Sequence, residues 1–326
     1  MRWLSDAVVA RLHSEAQLPD LSGTRYRALR FLERGGMGAV WLAEDVVLRR
    51  SVALKILAPE YSSTDLAARL LREAEVLARL EHPGIVPVHD AGTLADGRTF
   101  YCMKYVEGQT LDQYVAQLPL REQLQLLQRI AEPLAFAHSR GVIHRDLKPA
   151  NIMIGAFGEV LIMDWGLAKL IDTPTVDDDR DPEHTKTQIV SIQPTAHGSV
   201  LGTPGYMAPE QARGEMQSID HRTDVFALGA LLNFMLTGLT SKSPVGSKAL
   251  TAISRKATAA ESSERYQSVQ EMATDIGRYL EGLPVSAYRE NFFEQAMRLA
   301  RRHQAAIVLV LAYLLMRLLF ILLSRR

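Results

Sequence analysis

An aspartate, a lysine and an asparagine crowd into one eight-residue string of this 326-residue chain, His144-Arg145-Asp146-Leu147-Lys148-Pro149-Ala150-Asn151. A second aspartate follows in Asp164-Trp165-Gly166. Polar groups this dense serve no packing purpose, because such side chains enter a core only when paired, so they read as groups gathered for chemistry. Upstream, Leu32 to Val40 reads LERGGMGAV, with Gly35, Gly36 and Gly38 between two strand-like patterns. Without Cβ atoms, backbone N–H groups there can approach phosphate oxygens. A tight hairpin uses glycine as well, so the glycines alone decide nothing. Lys55 stands among apolar neighbours in Val52-Ala53-Leu54-Lys55, where a solvated strand-edge lysine is the ordinary reading. Glu73, within RLLREAEVL, is one glutamate among many unless something inward needs it.

The elements that must position these groups are legible from periodicity. Residues 26–58 alternate apolar and polar as strands do, and DLAARLLREAEVLARL at 65–80 has a helical apolar stripe that stops at His82-Pro83-Gly84. Strand-like text returns from Ile85 to Val106. From Leu111 onward helical patterns dominate, at Gln123–Ser139, Val225–Leu236 and Ser268–Leu280. The chain is therefore α+β: a small sheet-rich unit precedes a larger helix-rich one, with the seam near Glu107-Gly108. Met1 to Ala16 places Leu4, Val8 and Leu12 at i, i+4, i+8 with charges between them, a short amphipathic helix without the apolar centre of a secretory signal.

Composition narrows the function classes. With 37 Lys+Arg against 37 Asp+Glu, 47% apolar and 23% charged residues, the chain is globular, and no overall field draws it to nucleic acid. The single cysteine, Cys102, excludes an intramolecular disulfide and a cysteine-built zinc site, and reads as a core residue. Ala305 to Leu323 is the outlier: 19 residues, 13 of them Leu, Ile, Val or Phe, interrupted by Arg317 alone. As a helix it would cover about 28 Å, close to a bilayer core, with Arg317 snorkelling to the far headgroups. Arg289, Arg298, Arg301 and Arg302 precede it and Arg325 and Arg326 follow, so the basic bias places residues 1–304 in the cytoplasm.

Taken with Gly202-Thr203-Pro204-Gly205-Tyr206-Met207-Ala208-Pro209-Glu210, the ordered motifs make the stretch from Tyr26 to Gly282 resemble the Hanks-type serine/threonine protein kinases, especially the membrane-anchored bacterial ones. The resemblance implies a bilobal protein-kinase-like fold, with a small β-rich N-lobe and a large helical C-lobe. It also implies ATP-dependent transfer of the γ-phosphoryl group to Ser/Thr hydroxyls of protein substrates. Such transfer is mostly positioning and charge neutralisation, so it needs cations, a proton acceptor and oxygen ligands for Mg²⁺, or Mn²⁺ in its place. By that resemblance Asp164 and Asn151 hold the metal ions, Asp146 orients the acceptor hydroxyl and Lys148 steadies the γ-phosphate. Lys55, paired with Glu73, holds the α- and β-phosphates, while Gly35, Gly36 and Gly38 cover the nucleotide. Met103, then Lys104, Tyr105 and Val106 of the hinge, meet the adenine, with Val40 and Ala53 on its face. Lys148 and Thr203 indicate serine/threonine preference.

The polar segment from Ile171 to Val200 reads as a solvated loop, and the resemblance makes Thr185, Thr187, Ser191, Thr195 and Ser199 its phosphorylation sites, with Arg145 ready to pair a phosphate. Asp224 resembles the residue that braces the catalytic loop, and Glu210 with Arg265 an ion pair that staples the C-lobe. The expected organisation is a leader helix at 1–23, an N-lobe at 24–106, a C-lobe at 107–282, a juxtamembrane segment at 283–304, a single transmembrane helix at 305–323 and a tail at 324–326. That makes a cytoplasmic-membrane kinase bound to the bilayer through its C-terminal helix, with protein substrates, no nucleic-acid partner and the homodimer left open. Three departures stand out: Glu33 where the first loop glycine usually sits, Trp165 in place of Phe, and only 26 residues between Gly238 and Arg265, where the family carries its αG helix. A pseudokinase scaffold that binds nucleotide or a partner without turnover is the alternative, disfavoured because Lys55, Glu73, Asp146, Asn151 and Asp164 are all retained.

Overall fold

The computed structural model of the chain describes residues 19–34, 38–58, 64–165, 169–170, 205–215, 217–238, 248–292, 294–295, 308–310, 312–317 and 320. Strands β1 (Tyr26–Arg34), β2 (Gly38–Asp45), β3 (Arg50–Leu57), β4 (Val88–Thr93) and β5 (Thr99–Lys104) form an antiparallel sheet in the order β1-β2-β3-β5-β4. Successive side chains point to opposite faces, and here both faces are covered. Phe100 and Cys102 of β5 join Leu21, Tyr26, Trp41, Val52 and Leu54 on the outer face, and Cys102 is fully buried, as expected. Tyr101 and Met103 point the other way, into the core shared with helix α1 (Thr64–Arg79) and the helical lobe. Helix α1 presents Leu70, Ala74 and Leu77 to that core, and Glu73 is carried inward on the same face. Strand β1 carries register shifts at Ala28/Arg30 and Phe31/Glu33, irregularities that plain alternation does not reveal.

Behind the hinge the lobes are stitched directly. Ile85 bridges Ile162 in parallel, and the Ile162 N–H donates to Gly84 O at 2.9 Å. The expected seam falls where β6 (Gly108–Thr110) begins. A Cβ on Gly108 would lie 2.1 Å from Ile154 O, so the close approach of β6 to its neighbour demands glycine there. Beyond it come α2 (Leu111–Val115), α3 (Leu120–Ser139), β7 (Val142–Ile143), a 3-10 turn at Pro149–Asn151, β8 (Ile152–Gly155), β9 (Val160–Ile162) and β10 (Lys169–Leu170). Strands β6, β8 and β9 make one small sheet, β7 and β10 another. Helices α4 (Pro209–Ala212), α5 (Arg222–Gly238), α6 (Lys248–Ala257) and α7 (Val269–Leu280) complete the lobe. The N-terminus of α7 is fixed by Ser268, whose Oγ accepts the Glu271 N–H at 3.1 Å.

The helical lobe continues past Gly282, where the sequence placed the start of a juxtamembrane segment. Val285 is buried in the main core, and Asp275 of α7 accepts the backbone N–H groups of Ser286 and Ala287 at 2.8 and 3.1 Å, together with the Ser286 hydroxyl at 2.7 Å. Tyr266 donates to the same carboxylate at 2.8 Å. A buried carboxylate needs this many donors, and it finds three of them only in the segment after α7. Against the cost of burial, these donors hold the Asp275 carboxyl below its ordinary range. Among the described residues α6 follows α5, with residues 239–247 outside the described set.

The leader at 1–18 also lies outside the described residues. So do much of 305–323 and all of the tail; within 305–323, residues 308–310 and 312–317 are helical and exposed. Among the described residues no helix is long and apolar enough to cross a membrane.

Candidate active site

Lys55 projects from β3, opposite Val40 of β2 and Tyr101 of β5. Its Nζ donates to both Glu73 carboxylate oxygens, at 2.8 and 3.0 Å, and to Asp164 Oδ1 at 3.0 Å. The solvated-edge reading of this lysine is therefore wrong: three elements converge on its ammonium. Burial alone would lower its pKa, but Tyr101, Glu73 and Asp164 raise it well above the ordinary lysine range. Glu73 is itself buried, and the Tyr101 hydroxyl donates to its Oε1 at 2.7 Å. Asp164 has a left-handed backbone, φ 58°, an uncommon conformation for a non-glycine residue. Against the cost of burial, Lys55, His144 and Lys148 hold its carboxyl below the usual range.

Trp165 turns inward behind it and is 1% exposed. Its ring packs edge-on against His144 at 4.7 Å, and its Nε1 donates to Ile162 O at 3.3 Å. The core thus accepts the larger aromatic and satisfies its one polar atom.

The Asp146 string folds as a compact loop between β7 and β8. Lys148 Nζ reaches Asp146 Oδ2 at 2.8 Å, and Asn151 Nδ2 donates to Asp146 O at 2.8 Å and more loosely to Oδ2 at 3.3 Å. That leaves the Asn151 amide oxygen as a hard donor beside two carboxylates. Among the described residues no group of three or more His, Cys, Asp and Glu could hold a metal unaided. The set suits Mg²⁺, which keeps few protein ligands and fills its shell with phosphates and water.

The loop is held from below. Asp224, in the first turn of α5 and fully buried, accepts the His144 N–H with Oδ2 and the Arg145 N–H with Oδ1, both at 2.9 Å. Arg145 is left-handed, φ 71°. Burial lowers its guanidinium pKa, with Asp224 opposing. Gln211 of α4 adds a bond to Arg145 O at 2.7 Å. Glu210 on the same helix meets Arg265 through two bonds of 2.8 Å.

Three supporting groups escape a reading of sequence: Tyr101, Gln211 and His138. His138, at the end of α3, lies 2.7 Å by Nε2 from Asp224 Oδ2. Its Nδ1 is buried with no hydrogen-bond partner among the described residues. Only the helical pattern of α3 placed it, and that pattern says nothing of a contact 86 residues away.

Met103 is buried at the end of β5 opposite Ala53, Val40 is half-buried, and Lys104 is exposed with its N–H donated to Pro87 O at 3.0 Å. Tyr105 accepts from Arg30 of β1 at 3.2 Å, and Val106 is buried. Gly38 opens β2, where a Cβ would meet Ile56 O at 2.2 Å. Gly35 and Gly36 lie outside the described residues, as do Thr185, Thr187, Ser191, Thr195, Ser199 and Thr203.

A lysine shared by a helix glutamate and a loop aspartate, above an Asp-Lys-Asn loop, matches a known family. The model for the protein kinase domain covers residues 26–288. The chain belongs to the protein kinase family. Relatives of this kinase include the serine/threonine-protein kinase PknD of Chlamydia felis, 37% identical over 299 aligned positions, covering 80% of this chain and 31% of that protein. PknD of Protochlamydia amoebophila is 34% identical, covering 79% and 30%. The kinase thus spans about a third of the length of the curated relatives it matches. Among solved structures, the kinase domain of Mycobacterium tuberculosis PknI aligns with a TM-score of 0.57 at 27% identity, over 82% of this chain and all of that one. The bilobal kinase fold expected from the motifs is the fold observed.

Proposed function

We propose that this chain is an active, ATP-dependent serine/threonine protein kinase. The observation that carries the reading is Lys55 bound at once to Glu73 and Asp164, the arrangement that places a cation and a metal-binding carboxylate over one point. Lys55 holds the α- and β-phosphates, and the Glu73 and Tyr101 contacts fix where it reaches. Asp164 and Asn151 would hold Mg²⁺, which when bound neutralises charge on the β- and γ-phosphates. Asp146 orients the acceptor hydroxyl and takes its proton, while Lys148 lies within reach of the transferred group. Met103 to Val106 line the adenine site with Val40 and Ala53, and Gly35, Gly36 and Gly38 cover the phosphates. Full retention of these groups argues against the scaffold reading.

Thr185, Thr187, Ser191, Thr195 and Ser199 are proposed as autophosphorylation sites. Mass spectrometry of purified protein is expected to find phosphate between residues 171 and 203 in the wild type and none in Asp146→Asn; equal phosphate in both would refute turnover by this chain.

Glu33 is exposed on β1, opposite Val40. A carboxylate beside a triphosphate repels it, so Glu33→Gly should lower the KM for ATP several-fold, with a smaller change in kcat. A higher KM would mean that Glu33 makes a structural contact instead.

The apolar stretch at 305–323 is proposed to anchor the kinase in a bilayer with the catalytic lobes on its cytoplasmic side. Carbonate washing should leave the full chain in membranes, and truncation after Arg302 should release it.

A further inference from the structure

Tyr101 carries a group that packing does not ask for. It stands on β5 directly opposite Lys55 of β3, is 1% exposed, and belongs to the core that the sheet shares with α1 and the helical lobe. An apolar side chain would serve that core, whereas a buried hydroxyl costs stability unless it finds a partner. Here the partner is Glu73. The hydroxyl donates to Oε1 at 2.7 Å, and the centroid of the ring lies 5.7 Å from the Lys55 ammonium, so one side chain touches both members of the ion pair. Burial, with Glu73 reinforcing it and Lys55 opposing it, raises the pKa of this hydroxyl well above the ordinary tyrosine range, which keeps it a donor.

The donors of Lys55 are all committed. An ammonium has three N–H groups, and Lys55 places them on Glu73 Oε1 at 2.8 Å, Glu73 Oε2 at 3.0 Å and Asp164 Oδ1 at 3.0 Å. Phosphate oxygens can therefore be held only by donors withdrawn from these carboxylates. Glu73 is 7% exposed, so water does little to replace a lost donor, and a buried carboxylate left short of donors is costly. Tyr101 already stands on Oε1, one of the two oxygens that Lys55 shares. We infer that Tyr101 is a positioning residue: its hydroxyl satisfies Glu73 Oε1 and ties α1 to β5, which frees a Lys55 donor for the α- and β-phosphates. The inference rests on the reading of Lys55 as the lysine that holds those phosphates.

Tyr101→Phe and Tyr101→Met test this in the full chain, because both lose the hydroxyl while filling its place with different apolar shapes. Each should weaken ATP binding, read by titration with Mg²⁺ present, about tenfold, the change that one hydrogen bond to a charged group supports. The KM for ATP should rise with it, while kcat and the KM for a casein acceptor change less than about threefold, since the lost contact serves bound ATP and the transition state alike. In a Glu73→Gln background the same substitutions should add nothing, because Tyr101 acts through that carboxylate. Unchanged ATP affinity in both variants, a fall in kcat alone, or a Tyr101 effect that persists undiminished beside Glu73→Gln would overturn the inference. Absence of transfer by the wild type would count against the kinase reading, and the ATP titrations would still decide the role of Tyr101.

Discussion

Replacing Lys55 by Met should reduce phosphoryl transfer by at least about 10²- to 10³-fold, the loss typical of one preorganised electrostatic contact, and should destabilise the protein as well. The two effects have different origins. Lys55 contributes to transfer by standing where phosphate charge lies. Its contribution to folding is to neutralise Glu73, which is buried and would keep only the Tyr101 hydroxyl at 2.7 Å. Removing one partner of a buried ion pair costs about 3 to 5 kcal/mol, because the other charge remains. A second variant separates the effects: Lys55→Met with Glu73→Gln removes the stranded charge, and should recover much of the stability and none of the activity. Labelled-ATP transfer and thermal unfolding of the three proteins read both quantities. Wild-type transfer by Lys55→Met would remove Lys55 from the site.

Arg265→Ala is expected to be the most destabilising of the single changes considered. The Arg265 side chain is completely buried and donates to Glu210 twice, to Ala259 O at 2.8 Å, to Ala260 O at 3.0 Å and to Arg222 O at 3.1 Å. Truncation strands a buried carboxylate and three carbonyls, at a cost of about 3 to 5 kcal/mol. For a domain of this size that lowers Tm by roughly 6 to 20 °C, at ~2 to 4 °C per kcal/mol. Pairing Arg265→Met with Glu210→Leu removes both charges, and should be milder than the single truncation.

Against the cost of burial, the Arg265 and Thr223 bonds hold the Glu210 carboxyl below its ordinary value. A lowered carboxylate pKa contributes stability that is present above the unfolded value, and that stability is lost as pH falls through the folded one. Acid unfolding should therefore begin below the ordinary glutamate range in the wild type, and Glu210→Gln should flatten that limb. Glu210 sits beside Gln211, which supports Arg145 O, so Arg265→Ala should also lower kcat at temperatures where the protein stays folded. A Tm within 2 °C of wild type, less than ~1 kcal/mol on the same scale, would show that the pair is not a staple.

What the sequence determined by itself was the chemistry and the order of the elements. Asp146, Lys148 and Asn151 lie within six residues, so one loop must hold them together whatever the rest of the chain does, and periodicity alone located β1 to β5, α1, α3, α5 and α7. Tertiary structure decided what depends on long-range approach. The bulges in β1, the three donors that Asp275 finds beyond Gly282, and the meeting of His138, His144 and Arg145 at Asp224 join residues that no local pattern relates. For Lys55 the local pattern alone suggested a solvated edge residue, the resemblance assigned it to the site, and the approach of α1 and the Asp164 loop to β3 supplies its partners. Periodicity reports which face of an element is buried; it cannot report which polar group on another element waits there, because that partner is chosen by packing and by the cost of leaving a buried charge alone.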